Sequence, residues 1–231
     1  MTEQKPLPQQ VVRFAFYKVD REWRALPPED REGARKELAA LLEEERERFP
    51  MLRTYSTVGM RGDCDFLIWS ACSEPEQTQA LETAIRATAM GRFLDTPHSF
   101  LAMTKRSQYE DRLGDKREKL QVKPGRAKYL FVYPFVKTRA WYMLPFEERQ
   151  KMMDTHIEIG HRFPTVKLNT TYSFGLDDQE FVVAFETDHP EHFLDLVMQL
   201  REAESSSYTL RDTPILSCIA MDTAAMLAAC G

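Results

Sequence analysis

The chain has 231 residues, 43% of them hydrophobic and 29% charged, which is length and apolar content enough for one large domain or two small fused ones. Its 31 basic and 36 acidic side chains are interspersed and sum to −5, so there is no basic face of the kind nucleic-acid binders use. No apolar run approaches the ~20 residues that cross a bilayer, the start MTEQKPLPQQ lacks an apolar signal core, and Cys64, Cys72, Cys218 and Cys230 form no CxxC pair. The expectation is a cytoplasmic protein with reduced thiols, no membrane partner and no nucleic-acid partner.

After a polar lead-in, VVRFAFYKV reads as a strand, and PEDREGARKELAALLEEERERF as a helix opened by proline and acids. MLRTYSTV and DFLIWSAC are two strands joined by GMRGD, EPEQTQALETAIRATAM is a second helix, and HSFLAMTK a fourth strand. The order β-α-β-β-α-β is the ferredoxin-like pattern. The second half repeats it, with YLFVYPFVK, EERQKMMDTHIEIGHRF, VKLNTTYSF, EFVVAFET, EHFLDLVMQLREAE and TPILSCIAM in turn. Local sequence agrees: EWRALPPEDR at 22–31 matches AWYMLPFEER at 140–149, 118 residues later, and both first helices end in Arg-Phe-Pro. The fold class expected is therefore α+β, two tandem ferredoxin-like units forming a dimeric α+β barrel. The boundaries expected are an N-terminal unit at 1–107, a connecting loop at 108–127 and a C-terminal unit at 128–231. The loop is long and highly charged, and serves either as a linker or as a lid.

Chemistry concentrates in the second unit. Alternation along YLFVYPFVKT puts Tyr133, Phe135 and Lys137 on one face of the strand. An ammonium within an apolar strand costs several kcal/mol if buried without a partner, which asks for a carboxylate or an edge position. On the following helix Met152, Met153, His156, Ile159 and Phe163 form an apolar stripe, and its one histidine points inward. A lone histidine in such a stripe is commonly a hydrogen-bonded core residue. It cannot hold zinc by itself, but it can hold a haem iron, which needs one axial ligand from the protein because the macrocycle supplies the other four. The repeat offers a control: the first-unit counterparts of Tyr133, Lys137 and His156 are Ala15, Val19 and Leu38, or Leu42 if the extra helical turn lies earlier. Building the unit does not require polar groups there, which favours a site in the second unit.

The segments YPFVKTRAWYMLP, MMDTH, TTYSFGLDDQEFVVAFETD and LREAESSSY resemble the haem-binding half of the chlorite dismutase superfamily, most closely its coproheme decarboxylase branch. The resemblance implies duplicated ferredoxin-like units with the porphyrin in the C-terminal one, assembled as a homopentamer. It implies His156, 23 residues after the tyrosine of Tyr133-Pro134, as the proximal iron ligand, and Tyr133 as the residue that becomes a radical and takes hydrogen from a propionate. Lys137 would bind that propionate, Trp141 would stand beside the pocket, and Arg201 and Ser206 would bind other propionates. The implied activity is hydrogen-peroxide-dependent decarboxylation of iron-coproporphyrin III (coproheme) to haem b. Chlorite decomposition and non-catalytic haem binding or transfer are the alternatives. Chlorite dismutases carry a distal arginine where alignment on Tyr-Ser-Phe-Gly places Leu168, with Asn169 as the other register, and leucine cannot polarise chlorite. No histidine stands in the 107–127 segment, where some decarboxylases keep a distal base. The histidines His98, His161, His189 and His192 are expected at the surface or at element ends.

Overall fold

The computed structural model describes residues 8–111 and 121–231. Of the loop expected at 108–127, residues 112–120 lie outside the described residues, and the choice between lid and linker lies there with them. The chain divides into two compact units, one of residues 1–103 and 216–231, the other of residues 104–215.

In the first unit β1 (Val11–Val19), α1 (Pro28–Arg48), β2 (Met51–Ser56), β3 (Phe66–Cys72), α2 (Pro75–Ala87) and β4 (Leu94–Met103) follow in the expected order. The antiparallel pairings give the sheet order β4-β1-β3-β2. Helix α1 has proline and acids in its first turn and arginines in its last, which suits the helix dipole at both ends. Its Ala34, Leu38 and Leu42 are buried, and with Ala15, Val19, Leu52, Ile68, Leu81 and Ile85 they make one continuous core between sheet and helices.

The second unit runs β5 (Tyr129–Lys137), α3 (Arg139–Met143), α4 (Phe146–His161), β6 (Lys167–Tyr172), β7 (Phe181–Thr187), α5 (Pro190–Glu202) and β8 (Thr209–Arg211). Its pairings give β6-β7-β5-β8. The 118-residue offset reappears in the elements themselves: β1 begins at Val11 and β5 at Tyr129, and α1 begins at Pro28 and α4 at Phe146. Helix α1 has 21 residues against 16 in α4, so the extra turn sits at its C-terminal end.

The boundary expected for the second unit, 128–231, is corrected at its end. Strand β9 (Leu216–Ala220) pairs with β2, Tyr55 opposite Ala220 and Ser56 opposite Ile219, and α6 (Thr223–Ala228) buries Met226 and Leu227 in the first unit's core. The Trp23 indole donates to the Gly231 carbonyl at 2.5 Å, which fixes the C-terminus to that unit. Beside β5, the fourth-strand position expected for TPILSCIAM is held instead by the three-residue β8.

Candidate active site

Strand register decides which side chains share a face. Phe131, Tyr133 and Phe135 of β5 stand opposite Phe185, Val183 and Phe181 of β7, which in turn stand opposite Leu168, Thr170 and Tyr172 of β6. Directly opposed residues point the same way, so all nine lie on one face of the sheet. Ile159 of α4 and Phe193 and Leu196 of α5 pack on that face with Tyr133, Val183 and Phe185. Asn169 belongs to the other face, where its amide donates to Glu186 at 3.0 Å. Of the two registers left open by sequence, Leu168 is the one on the Tyr133 face.

The two units differ at matching positions on this face. Leu52 and Thr54 of β2 are 3% and 5% exposed beneath their helices, whereas Leu168 is 41% exposed and Thr170 is exposed too. At the helix position Leu38 is sealed and His156 is half-buried, whereas at the strand positions Tyr133 and Lys137 are buried as Ala15 and Val19 are. The β6 positions on this face are thus covered in one copy of the repeat and uncovered in the other.

The residues singled out by sequence lie on β5, α3, α4, β6, α5 and the turn after α5 of this unit. Tyr133 is 8% exposed and its ring stacks on Phe185 at 5.8 Å. Burial raises its pKa, the Asp212 carboxylate raises it further and the Arg201 guanidinium partly opposes both, so the phenol keeps its proton at neutral pH. Lys137 ends β5, where the register against β8 shifts between Val136 and Lys137. Its ammonium donates to the Ser205 carbonyl at 2.6 Å and lies 4.4 Å from the centre of the Trp141 ring. Burial pushes Lys137 down to about 8, with the Glu180 carboxylate opposing. His156 is pushed down to about 4 by burial and by the Lys137 charge, so its imidazole is neutral at physiological pH with a lone pair available to a metal. Trp141 is 2% exposed and packs on Tyr208 and Tyr109 at 5.5 and 6.2 Å. Arg201 is half exposed and pairs with Asp212. Ser206 is partly buried in the short turn Glu204–Tyr208, next to the Ser205 carbonyl that receives Lys137.

Two carboxylates escaped sequence reading. Glu180, 8% exposed, accepts the Lys137 backbone N–H at 2.8 Å and the Tyr142 hydroxyl at 2.6 Å, and it lies 3.8 Å from Arg139. Its charge favours the protonated ammonium of Lys137, although its hydrogen bond goes to that residue's main chain, and its place at the head of FVVAF was the available signal. Asp212, which holds Arg201, follows a strand too short to be seen as one. The described start of the connecting segment leans on α4: Glu110 and Gln150 exchange two 3.1 Å hydrogen bonds, and His161 meets Asp111 at 3.0 Å.

The family model described as Chlorite dismutase matches residues 31–221. A coproheme decarboxylase of Mycolicibacterium smegmatis is 31% identical over 197 residues, 82% of this chain and 81% of that protein. A chlorite dismutase of Ideonella dechloratans is 29% identical over 206 residues, 87% of this chain and 72% of that protein. A haem-binding protein from Thermus thermophilus superposes with a TM-score of 0.86 at 26% identity, over 97% of this chain and 96% of that one. The chlorite dismutase of Candidatus Nitrospira defluvii in complex with imidazole shares the fold at a TM-score of 0.86 and 24% identity, over 96% of this chain and 94% of that one.

Proposed function

This chain belongs to the chlorite dismutase family, and on that premise we propose that it decarboxylates iron-coproporphyrin III to haem b with hydrogen peroxide as oxidant. The observation that carries the reading is the uncovered sheet face of the second unit, where Leu168 and Thr170 lie open beside a protonated, buried Tyr133.

The donor set fits an iron porphyrin. His156 offers one neutral nitrogen, which is what such an iron needs from the protein. Leu168 gives the macrocycle an apolar wall, and Lys137 and Arg201 give cations to a substrate with four carboxylates. When bound, the porphyrin iron supplies the redox chemistry, passing two electrons from each reacting propionate to one peroxide, which leaves as two waters.

The protein's own groups divide the remaining tasks. Lys137 spends one N–H on Ser205 and keeps two for a propionate, and with a pKa near 8 it holds its proton at neutral pH and can release it nearby. Tyr133 holds a proton at its hydroxyl, so it reacts by yielding a hydrogen atom and then takes one from the propionate carbon next to the ring. The propionate radical gives up its second electron to the same oxidant as CO₂ leaves and a vinyl group remains, and the apolar packing of Phe185 and Ile159 around the phenol excludes water from the radical. Arg201 and Ser206 hold the propionates that are not reacting. We place the reaction in the cytoplasm, in a homo-oligomer of the family's pentameric type; among the described residues no helix is long and apolar enough to cross a membrane.

Leucine at 168 speaks against chlorite chemistry, since it offers no charge or hydrogen bond to a developing oxyanion. The likeness to a haem-binding protein favours a second reading, a carrier that holds porphyrin without turnover. Incubation with iron-coproporphyrin III and peroxide, followed by porphyrin mass, tests the proposal: stepwise loss of two carboxyl groups as CO₂ is expected. An unchanged porphyrin would leave the carrier reading.

A further inference from the structure

At the entrance to α5, away from the residues assigned above, His189, Glu191 and His192 bring one ligand atom each within 4.8 Å of one another. The sequence His-Pro-Glu-His explains the convergence. His189 is the residue that caps the helix, Pro190 starts it, and Glu191 and His192 follow in its first turn, so three donors are gathered on one end of one element. The two imidazole rings stack with centroids 4.8 Å apart and planes 29° from parallel. His189 Nδ1 lies 3.3 Å from the Glu191 carboxylate, and His192 Nδ1 lies 2.9 Å from the Thr165 hydroxyl.

The Thr165 hydroxyl can donate to His192 Nδ1 or accept from it, so the contact fixes the ring and fits either tautomer. If Nδ1–H of His192 donates to the Thr165 oxygen, Nε2 carries a free lone pair directed away from that contact. This is the arrangement in which a second group orients a metal-binding imidazole. Two imidazoles and a carboxylate form an N₂O donor set, suited to borderline divalent ions such as zinc, nickel or copper and unsuited to the all-oxygen preference of magnesium or calcium. The helix dipole opposes a cation at this end, and the Glu191 carboxylate offsets it. His189 and Glu191 are exposed and His192 is half-buried, so water can complete the coordination shell.

We propose that His189, Glu191 and His192 form a surface site for a divalent transition metal, separate from the porphyrin site and oriented by Thr165. Bound metal would tie the segment before β6, through Thr165, to the start of α5. The test is calorimetric titration of the full chain with zinc chloride and with nickel chloride, alongside magnesium chloride. One equivalent of zinc or nickel is expected per chain, none of magnesium, with a higher melting temperature in the metal-bound protein. The double variant His189→Ala/His192→Ala is expected to lose the site, and Thr165→Val to bind about 10-fold more weakly. His156→Ala is expected to bind zinc like the parent, which separates this site from the porphyrin ligand whether or not the protein turns over coproheme. Zinc binding that is unchanged in the double variant, or absent from the parent, would overturn the assignment.

Discussion

The ammonium of Lys137 sits 4.4 Å from the centre of the Trp141 ring while its backbone N–H is held by Glu180 at 2.8 Å. The residue is thus fixed at both ends, by a carboxylate at the main chain and by an aromatic face and the Ser205 carbonyl at the side chain. A buried cation held this way is preorganised for an anion and costs stability until one arrives.

That cost has a pH signature. Lys137 titrates near 8 in the folded chain against an ordinary value of 10.5, so between those values the unfolded chain holds a proton that the folded chain has released. Stability of the porphyrin-free protein should therefore rise with pH across that window, with the full penalty present below pH 8. Affinity for a carboxylate-bearing porphyrin should move the other way, full below about 8 and falling above it. In Lys137→Met both trends should flatten and porphyrin should bind about 10- to 100-fold more weakly, the worth of a charge-assisted hydrogen bond. Denaturant melts and absorbance titrations from pH 7 to 10 check both signs.

Tyr133→Phe removes one oxygen and leaves the ring on Phe185. Porphyrin binding and the spectrum of the complex should be close to those of the parent, and stability should change by less than about 1 kcal/mol. Decarboxylation should fall at least about 100-fold. A variant that still turns over would remove Tyr133 from the mechanism and favour another route for the electron.

The Arg201–Asp212 pair makes opposite predictions for its two members. Arg201→Ala should weaken coproheme binding severalfold by removing a cation. Asp212→Asn should strengthen it, because the internal carboxylate then no longer competes with a propionate for Arg201. Dissociation constants from absorbance titration decide; weakening in both would make Asp212 a residue that positions Arg201 rather than one that competes with the substrate.

The uncovered face can be tested without any porphyrin. Leu52→Ala should cost about 2–5 kcal/mol, as expected for a sealed core leucine. Leu168→Ala, at the matching strand position but 41% exposed, should cost about 1 kcal/mol or less. Equal costs in urea melts would mean that the second unit's sheet is packed like the first.

Much of this was legible in the residues. The 118-residue offset located β5 and α4, and alternation and helical spacing found Tyr133, Lys137 and His156, since each stands out against an apolar pattern. Alignment put Leu168 ahead of Asn169, but the face each one takes was not legible, because neighbouring strand residues point to opposite faces and only the pairing with β7 says which is which. Nor was the placement of β9: a strand's own residues do not say which edge it will join, and Leu216–Ala220 pairs with β2. Glu180 and Asp212 sit where acids are ordinary turn residues, and their partners Lys137 and Arg201 are distant in sequence.

The claim on which the others depend is that the His156 imidazole holds the iron of a porphyrin in the second unit. Titrating the full chain with iron-coproporphyrin III and recording the Soret band tests it most directly. The account predicts a shifted, saturable band at one porphyrin per chain that is lost or moved to a weakly ligated position in His156→Ala. A parent protein that produces no such band, or a variant whose band and affinity match the parent's, would contradict it.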